Sequence, residues 1–357
     1  MARLRALLSW APLAFVPLAV GLAWLAPTQY NAIFFASVVA IVPLAGYIGR
    51  ATEQLAAQLG AGMGGLLNAT FGNAAELIIG ALALHKGLTD LVKASITGSI
   101  IGNVLLVFGV SALVGGIRHH TQRFNRTAAG MGTTMLLLSA IGLVVPAVFH
   151  RLAQTYAARE LRLDTEIALV LFLTYGANLV FTLKTHRQLF GVAETTDADE
   201  RPPSMRSSVL LLVASTAAVA IVSELLVNAV SHAAESLRMS QLFVGVIIVA
   251  LVGNAAEHYS AVIMARRDKM DAAIGIAVGS STQIALFVAP VLVFLSYVIG
   301  PAPMDLLFTT FELVAIGLSV LSIAFIAHDG ETNWMEGVQL LAVYAILALG
   351  FYFLPAV

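Results

Sequence analysis

The sequence predicts an all-α, polytopic membrane protein with eleven transmembrane helices, arranged as two inverted five-helix repeats and one extra N-terminal helix. Of its 357 residues, 59% are hydrophobic and only 11% are charged, whereas a soluble domain carries about 25% charged residues. The apolar residues fall in runs of spanning length, and such runs satisfy their backbone hydrogen bonds in lipid as helices. In addition, the motif Gly-Asn-Ala-Ala-Glu occurs twice, 181 residues apart.

The predicted spans follow the apolar runs in order. They cover residues 8–26, 30–50, 60–84, 91–117, 127–149, 164–184, 207–232, 240–265, 271–299, 303–327 and 334–355. The first run follows Arg3 and Arg5, as a signal peptide would. Its apolar length is nearer to a span than to the roughly 7–15 residues of a signal sequence. We therefore expect a retained first helix rather than a cleaved signal.

The basic residues of the loops predict the orientation, because cytoplasmic loops carry an excess of Lys and Arg. With the N-terminus inside, the inner segments hold 13 Lys and Arg residues and the outer loops hold 6. The loop from Arg151 to Arg162 runs against this bias. We expect an integral protein of a prokaryotic plasma (inner) membrane, with a cytoplasmic N-terminus and an external C-terminus.

A shift of 181 residues aligns the two halves of the chain without gaps. It places Gly64 on Gly245, Asp90 on Asp271, and Gly98-Ser99 on Gly279-Ser280. The predicted units are an extra helix at 1–28, repeats at 29–185 and 207–357, and an acidic cytoplasmic linker at 186–206. Five spans per repeat invert the second copy. Inverted repeats recur in secondary transporters, whose sites lie near the membrane midplane, although channels and intramembrane enzymes stay open at this point.

The repeated motif places Glu76 and Glu257 within apolar runs, where a lipid-facing carboxylate would cost roughly 2.5–3.5 kcal/mol on insertion scales. Asn73 and Asn254 lie three residues earlier, so each Asn and Glu pair shares one helix face. The glycines allow close packing or local unwinding that presents carbonyl oxygens. The motif therefore predicts a buried cation site with Glu76, Glu257, Asn73 and Asn254 as ligands.

The neighbouring helices add further oxygen ligands, and the chain has no cysteine. Candidate transport-path residues are Ser99 and Asn103 on the fourth span and Ser280, Ser281 and Gln283 on the ninth. Hard oxygen ligands with two carboxylates suit Ca²⁺, which takes about 6–8 oxygens, and Mn²⁺ also fits. Na⁺ would need less charge, and Zn²⁺ or Cu⁺ would prefer nitrogen or sulfur.

Two carboxylates in one low-dielectric site repel, so without a cation at least one is expected to hold a proton. A divalent cation would displace such protons, and exchange of Ca²⁺ for H⁺ follows as a hypothesis. His258 directly follows Glu257 and either relays protons or bonds within the bundle. Glu224 and Glu312 are expected to be further buried carboxylates that line a pathway or are satisfied by a Ser or Asn.

The hydrophilic segment between the sixth and seventh spans is either a solvated linker or a regulatory, calcium-attracting segment. Its acidic residues are Glu194, Asp197, Asp199 and Glu200. Glu53 is another regulatory candidate, although its place at a helix end is typical of a solvated residue. The sequence has no basic patch with interleaved aromatic residues that would indicate binding of nucleic acid. It also has no metal triad that would indicate an enzyme. The expected partners are therefore Ca²⁺, H⁺ and the lipid bilayer, and a homo-oligomer stays open.

Three stretches of the chain closely resemble the repeat motifs of the CAX-type Ca²⁺/H⁺ antiporters of the calcium/cation antiporter superfamily. They are Asn68-Ala-Thr-Phe-Gly-Asn-Ala-Ala-Glu76-Leu-Ile-Ile, Gly253-Asn-Ala-Ala-Glu257-His, and Ala277-Val-Gly-Ser-Ser-Thr-Gln283-Ile-Ala-Leu. The resemblance covers nearly the whole chain, including the eleven-helix plan, the acidic segment and Ala51-Thr-Glu53-Gln-Leu-Ala. The His after Glu257 is typical of this branch, whereas sodium-coupled relatives usually differ around the second glutamate.

The resemblance implies a secondary active transporter that exports cytosolic Ca²⁺ in exchange for H⁺ by alternating access. Glu76 and Glu257 would be the central Ca²⁺ ligands and proton acceptors. Asn73, Asn254, Ser99, Ser280 and Gln283 would line the path, and the acidic segment would bind regulatory Ca²⁺. No cofactor is expected beyond the transported ion, whose range (Ca²⁺, Mn²⁺, Cd²⁺) stays open. Na⁺/Ca²⁺ exchange is the first alternative, followed by a cation channel and an intramembrane metallo-enzyme.

Overall fold

The computed structural model describes residues 11–152, 157–186 and 204–354, and these residues are mostly helical. The helices of the first half are α1 (Phe15–Leu25), α2 (Tyr30–Leu59), α3 (Ala61–Phe71), α4 (Ala74–His85), α5 (Thr89–Gly116), α6 (Arg126–Leu152) and α7 (Ala157–Val180). Those of the second half are α8 (Met205–Ser236), α9 (Gln241–Gly253), α10 (Ala255–Arg266), α11 (Met270–Ile299), α12 (Thr310–Ile326) and α13 (Trp334–Phe353).

Among the described residues, seven helices are long and apolar enough to cross a membrane, namely α2, α5, α6, α7 with its last turn, α8, α11 and α13. The pair α9 and α10 is bent by 62° and makes an eighth if it is one span. Three shorter apolar helices, Pro12–Leu25, Ala74–His85 and Thr310–Ile326, fall below the spanning length. These seven or eight candidate spans confirm the prediction of a helical membrane protein.

The structure corrects three of the predicted spans. The stretch 60–84 is two helices, because the backbone leaves the helix at Gly72 and Asn73. The stretch 240–265 bends at Asn254 in the same way. Residues 303–309 are not helical, and α12 begins only at Thr310.

The non-helical segment before α12 has the alternating burial that is typical of an extended chain. Met304, Leu306 and Phe308 are buried, and a period of two places alternate side chains on one side of an extended chain. Thr309 and Glu312 then form a capping box, in which each side chain bonds the other residue's backbone N–H, and such a box favours a helix start. The helix predicted for residues 303–327 therefore begins about two turns too early.

The 181-residue shift also relates the elements around the motif. It carries both ends of α4 onto both ends of α10, and the first residue of α5 onto the first residue of α11. The turns between them match as well, since Gly87 and Asp268 each have a positive φ, of 73° and 59°. A π-helical turn interrupts α5 at Gly102–Val107 and α11 at Ile284–Val288.

One short strand pair was not predicted. β1 (Gln122–Arg123), in the loop after α5, pairs antiparallel with β2 (Glu331–Thr332), in the loop after α12. The side chain of Gln122 also donates to the backbone oxygen of Ala265 and to Asp268 in the turn after α10. Two-residue strands carry too little pattern to read from the sequence, and they tie three connecting segments together at one end of the bundle.

Candidate functional site

The breaks in the motif helices place each glutamate at the start of a new helix. Asn73 and Asn254 precede α4 and α10, and neither side chain caps the helix that follows. Glu76 and Glu257 therefore lie in the first turn of their helices. The N-terminal end of a helix carries a partial positive charge, which stabilises an anionic group. The sequence suggested local unwinding, and the structure locates it at these two positions.

The amide of Asn254 connects the two halves of the chain. Its Nδ2 donates to Ser99 Oγ at 2.9 Å and to the backbone oxygen of Ala250 at 2.9 Å. Its Oδ1 accepts from Asn103 Nδ2 at 3.1 Å. His258 Nε2 lies 3.1 Å from Asn103 Oδ1 and extends this network. Since Asn254 and Ser99 are both almost fully buried, these bonds fix how α5 meets the break between α9 and α10.

The amide of Asn73 is placed differently from that of Asn254. Its Nδ2 donates to Gln283 Oε1 on α11 at 2.6 Å. Its Oδ1 is buried and has no hydrogen-bond partner among the described residues. The two motif asparagines thus both reach the opposite half, but only Asn73 keeps a free acceptor oxygen. An unsatisfied buried polar group costs about 1–3 kcal/mol, so a free oxygen here calls for an explanation.

The carboxylate of Glu76 packs against the glycine of the other motif. A Cβ atom at Gly253 would lie 3.1 Å from Glu76 Oε1 and 3.3 Å from Glu76 Cδ. Glu76 is only 7% exposed, and its Oε2 has no hydrogen-bond partner among the described residues. A cavity of about 10 Å³ adjoins Glu76, with Ser95 and Ser99 as its other polar lining residues. That volume is about what a single water molecule needs.

Glu257 lies in a more open and better satisfied place. It is half-buried, and the Ser280 hydroxyl donates to its Oε2. Glu76 packs on Gly253, which lies four residues before Glu257 in the second motif. Ser281 does not face them, because its hydroxyl donates to the backbone oxygens of Ile100 and Ala277. The site is therefore a pair of carboxylates with unequal surroundings.

The remaining candidate residues lie outside this cluster. Glu312 is buried, as expected, but its carboxylate accepts from Thr97 at 3.0 Å and from Thr309 at 2.8 Å. Glu224 was expected to be buried and is exposed on α8 instead, because its helix position faces away from the core residues of that helix. Glu53 is exposed, in agreement with a solvated position. The acidic candidates Glu194, Asp197, Asp199 and Glu200 lie outside the described residues.

Sequence reasoning missed two contributors to the site. Ser95 lines the cavity beside Glu76, and its spacing of four residues from Ser99 was the signal that could have found it. The packing of Gly253 on Glu76 had no such signal, since a sequence does not show which helices meet. Among the described residues, no group of three or more His, Cys, Asp or Glu side chains could hold a metal ion. A cation bound here would thus depend on two carboxylates with amide, hydroxyl or backbone oxygens.

Comparison with known proteins places this arrangement in a family. The family described as sodium/calcium exchanger protein matches residues 30–184 and 207–353, which is most of the chain and includes both motifs. The chain belongs to this family. The stretch between the two matched segments, 185–206, contains the acidic linker predicted at 186–206.

Two relatives of this exchanger-family chain are named as Ca(2+)/H(+) antiporters. It is 43% identical over 360 residues to the Ca(2+)/H(+) antiporter of Aphanothece halophytica, covering 97% of this chain and 96% of that protein. It is 48% identical over 320 residues to the Ca(2+)/H(+) antiporter ChaA of Bacillus subtilis, covering 88% and 90%. The solved structure of native YfkE superimposes with a TM-score of 0.83 at 45% identity, covering 96% and 98%. The resemblance to the CAX-type antiporters is confirmed.

Proposed function

We propose that this chain exchanges Ca²⁺ for H⁺ at a site formed by Glu76 and Glu257, and that it exports cytosolic Ca²⁺. The observation that carries the proposal is the pair of buried oxygens, Asn73 Oδ1 and Glu76 Oε2, that lack hydrogen-bond partners among the described residues. Both belong to one turn of the first motif. A cation or a proton on these oxygens would remove the cost of leaving them unsatisfied. The names of the antiporter relatives support Ca²⁺ and H⁺ as the exchanged ions.

The proposed ligands divide into those that are ready to bind and those that are engaged. Glu76 and Asn73 each offer a free buried oxygen, and Glu257 offers the oxygen that Ser280 does not occupy. Asn254 is engaged through both atoms of its amide, so it either rearranges to bind Ca²⁺ or positions the helix break. Ca²⁺ accepts 6–8 oxygens in flexible geometry, which suits a site that is completed by backbone or water oxygens.

The exchange follows from competition for the same carboxylates. With the cation absent, two carboxylates in one low-dielectric site repel, which favours a proton on at least one of them. Ca²⁺ needs the ionised carboxylates, so its binding releases protons, and protons arriving from the other side release Ca²⁺. Ca²⁺ and H⁺ are therefore the proposed substrates, Mn²⁺ and Cd²⁺ stay open as other cargo, and no cofactor is proposed. The family is one of transporters, which confirms the prediction that the chain is not an enzyme.

The proposed topology has eleven spans, with inverted repeats at 29–185 and 207–357 after an extra helix at 1–28. Hydrogen bonds between helix ends support it. On the proposed outer side, Asn31 bonds Ser236 at 2.7 Å and Thr165 bonds Tyr297 at 2.7 Å. On the proposed inner side, Ser208 bonds Gln54 at 3.0 Å. In the eleven-span topology, each of these bonds joins two helix ends on the same side of the membrane.

Unequal burial of the equivalent helices α4 and α10 supports access from one side. In α4, seven of twelve residues are buried, whereas in α10 only Ala261 and Ala265 are buried. The apolar residues Ile79, Leu91 and Leu292 line the small cavity beside Glu76. We propose that this conformation admits ions along α10, from the side that the loop charges assign to the cytoplasm, and that alternating access exposes the other side.

The decisive test of ion coupling is uptake of ⁴⁵Ca²⁺ into liposomes that contain the purified protein. An imposed pH gradient is compared with an imposed Na⁺ gradient. We expect uptake with the pH gradient and none above background with Na⁺ alone. Uptake driven only by Na⁺ would establish the sodium-coupled alternative instead. Uptake without any counter-gradient, down the Ca²⁺ gradient alone, would indicate a channel.

A further inference from the structure

A cavity of about 190 Å³ lies between α6 and α12, away from the carboxylate pair. Its lining residues are Arg126, Gly130, Thr133, Ala324, Ala327 and His328. They lie in the first turns of α6, in the last turn of α12 or directly after it, at the end of the bundle where β1 pairs with β2. The cavity is therefore at the level where a spanning helix leaves the membrane, on the side assigned to the cytoplasm.

The charge of this cavity is basic and unpaired. Arg126 has no carboxylate partner among the described residues, whereas the nearby Arg123 pairs with Glu331 at 2.9 Å. The adjacent Asp329 accepts from the backbone of Glu331 at 3.0 Å and does not line the cavity. His328 adds an imidazole that can donate a hydrogen bond. An exposed arginine with a histidine beside it and no acidic partner favours an anion with several acceptor oxygens, as in a phosphodiester.

The floor of the cavity is open, and an apolar surface continues from it along both helices. A Cβ atom added at Gly130 would meet nothing within 4 Å. Large exposed apolar residues then follow at helical spacing on each helix. They are Leu137, Ile141, Val144 and Val148 on α6 and Val314, Leu318, Leu321 and Phe325 on α12.

The four exposed apolar residues on each helix form a stripe, and both stripes begin at the cavity. Gly130 precedes Leu137 by seven residues, or two helical turns, so both lie on one face of α6. Ala324 lies three residues from Leu321 and so adjoins the stripe of α12. A headgroup in the cavity would thus have apolar surface above it, running toward the opposite face of the membrane. A free phosphate ion would use only the basic end of this surface.

We propose that this cavity binds an anionic glycerophospholipid, with its phosphodiester on Arg126 and His328 and one acyl chain along the two stripes. Basic pockets between transmembrane helices on the cytoplasmic side are suited to such headgroups. The lipid would bridge α6 and α12, one from each proposed repeat. Its binding does not depend on which ions the carboxylate pair exchanges.

The test is native mass spectrometry of the purified full-length protein in detergent, with phosphatidylglycerol, phosphatidylcholine or inorganic phosphate added. We expect one phosphatidylglycerol to be retained at least about fivefold more tightly than phosphatidylcholine, since a surface Arg contributes about 1 kcal/mol to binding an anionic lipid. Arg126→Gln should lose that fivefold preference. Gly130→Leu should lose the bound lipid by filling the cavity.

Two further variants complete the experiment. Arg118→Gln changes an exposed arginine of the same loop that does not line the cavity, and it should keep the preference. Arg126→Lys keeps the charge and should retain most of the preference for phosphatidylglycerol. That result would show that Arg126→Gln loses a contact and not its fold. Equal retention of phosphatidylcholine, or unchanged phosphatidylglycerol in both Arg126→Gln and Gly130→Leu, would overturn the proposal. Displacement of the lipid by millimolar inorganic phosphate would assign the cavity to the free ion and overturn it as well.

Discussion

The carboxylate of Glu76 lies against Gly253, so the charged group of the first motif contacts the backbone of the second. A Cβ atom at position 253 would come within 3.1 Å of Glu76 Oε1. The contact has no equivalent at Gly72, where an added Cβ would meet Asn68 and not Glu257. The two halves therefore meet asymmetrically, and the first glycine to test is Gly253.

Gly253→Ala should weaken Ca²⁺ binding about tenfold. The added methyl group displaces the Glu76 carboxylate, and overpacking of this kind costs roughly 1–3 kcal/mol, where 1.4 kcal/mol is tenfold in affinity. The measurement is a Ca²⁺ titration of the purified protein. Gly275→Ala is the matched control, because a Cβ atom there meets nothing within 4 Å. Equal Ca²⁺ affinity in both variants would show that the contact does not position Glu76.

Asn73→Ala and Asn254→Ala should differ in kind. Asn73 keeps a free buried oxygen, so its loss should weaken Ca²⁺ binding. Because the Asn73 side chain makes one hydrogen bond, to Gln283, its loss should lower thermal stability less than the loss of Asn254. Asn254 makes three hydrogen bonds through its amide, and its loss should lower the free energy of unfolding by about 2–3 kcal/mol. Ca²⁺ titration and thermal unfolding in detergent measure the two effects. A larger stability loss for Asn73→Ala would contradict the assignment of the free oxygen.

Ser280→Ala and Ser281→Ala are a matched pair of neighbouring serines. The Ser280 hydroxyl donates to Glu257, and such a bond stabilises the ionised carboxylate. Without it, Glu257 should hold its proton more tightly, so Ca²⁺ uptake should reach its half-maximum at a higher pH. Ser281 donates to backbone oxygens, and its loss should leave the pH profile in place. The measurement is initial uptake at a series of external pH values, and a profile that moves equally in both variants would argue against the role of Ser280.

Lys93→Met should destabilise the extended segment before α12. The Lys93 ammonium bonds Asp305 at 3.0 Å and the backbone oxygen of Leu307 at 3.0 Å. Breaking a fully buried ion pair costs roughly 3–5 kcal/mol, and because the Asp305 side chain is 41% exposed we expect about 2 kcal/mol. The midpoint of thermal unfolding measures it. Lys86 is exposed, so Lys86→Met is the control variant. Equal midpoints for the two variants would contradict a stabilising role of Lys93.

Much of the fold was predictable because the chain repeats its own signals. The motif and the Gly-Ser pair located the site helices, and the 181-residue shift matched elements that the structure then placed at the same offset. The site pairings were less accessible. Ser280 and Ser281 were both candidate transport-path residues, yet only Ser280 faces Glu257, because adjacent residues on a helix point in directions about 100° apart.

The errors have physical causes as well. Hydropathy reports which residues avoid water and not whether their backbone is helical, so the extended run from Met304 to Phe308 was read as helix. Glu224 was expected to be buried because it lies within an apolar run, but one residue in a spanning helix can face any direction. The structure exposes it. Neither position could be assigned without knowing which helices pack against it.

Release of protons on Ca²⁺ binding would show that the two ions compete for Glu76 and Glu257. Ca²⁺ is added to the purified protein in weakly buffered detergent solution, and a pH-sensitive dye follows the free proton concentration. The wild-type protein should release protons as Ca²⁺ binds, and Glu76→Gln and Glu257→Gln should each reduce both binding and release. Ca²⁺ binding without proton release, or unchanged release in both variants, would contradict the proposal that this carboxylate pair carries Ca²⁺ and H⁺ in turn.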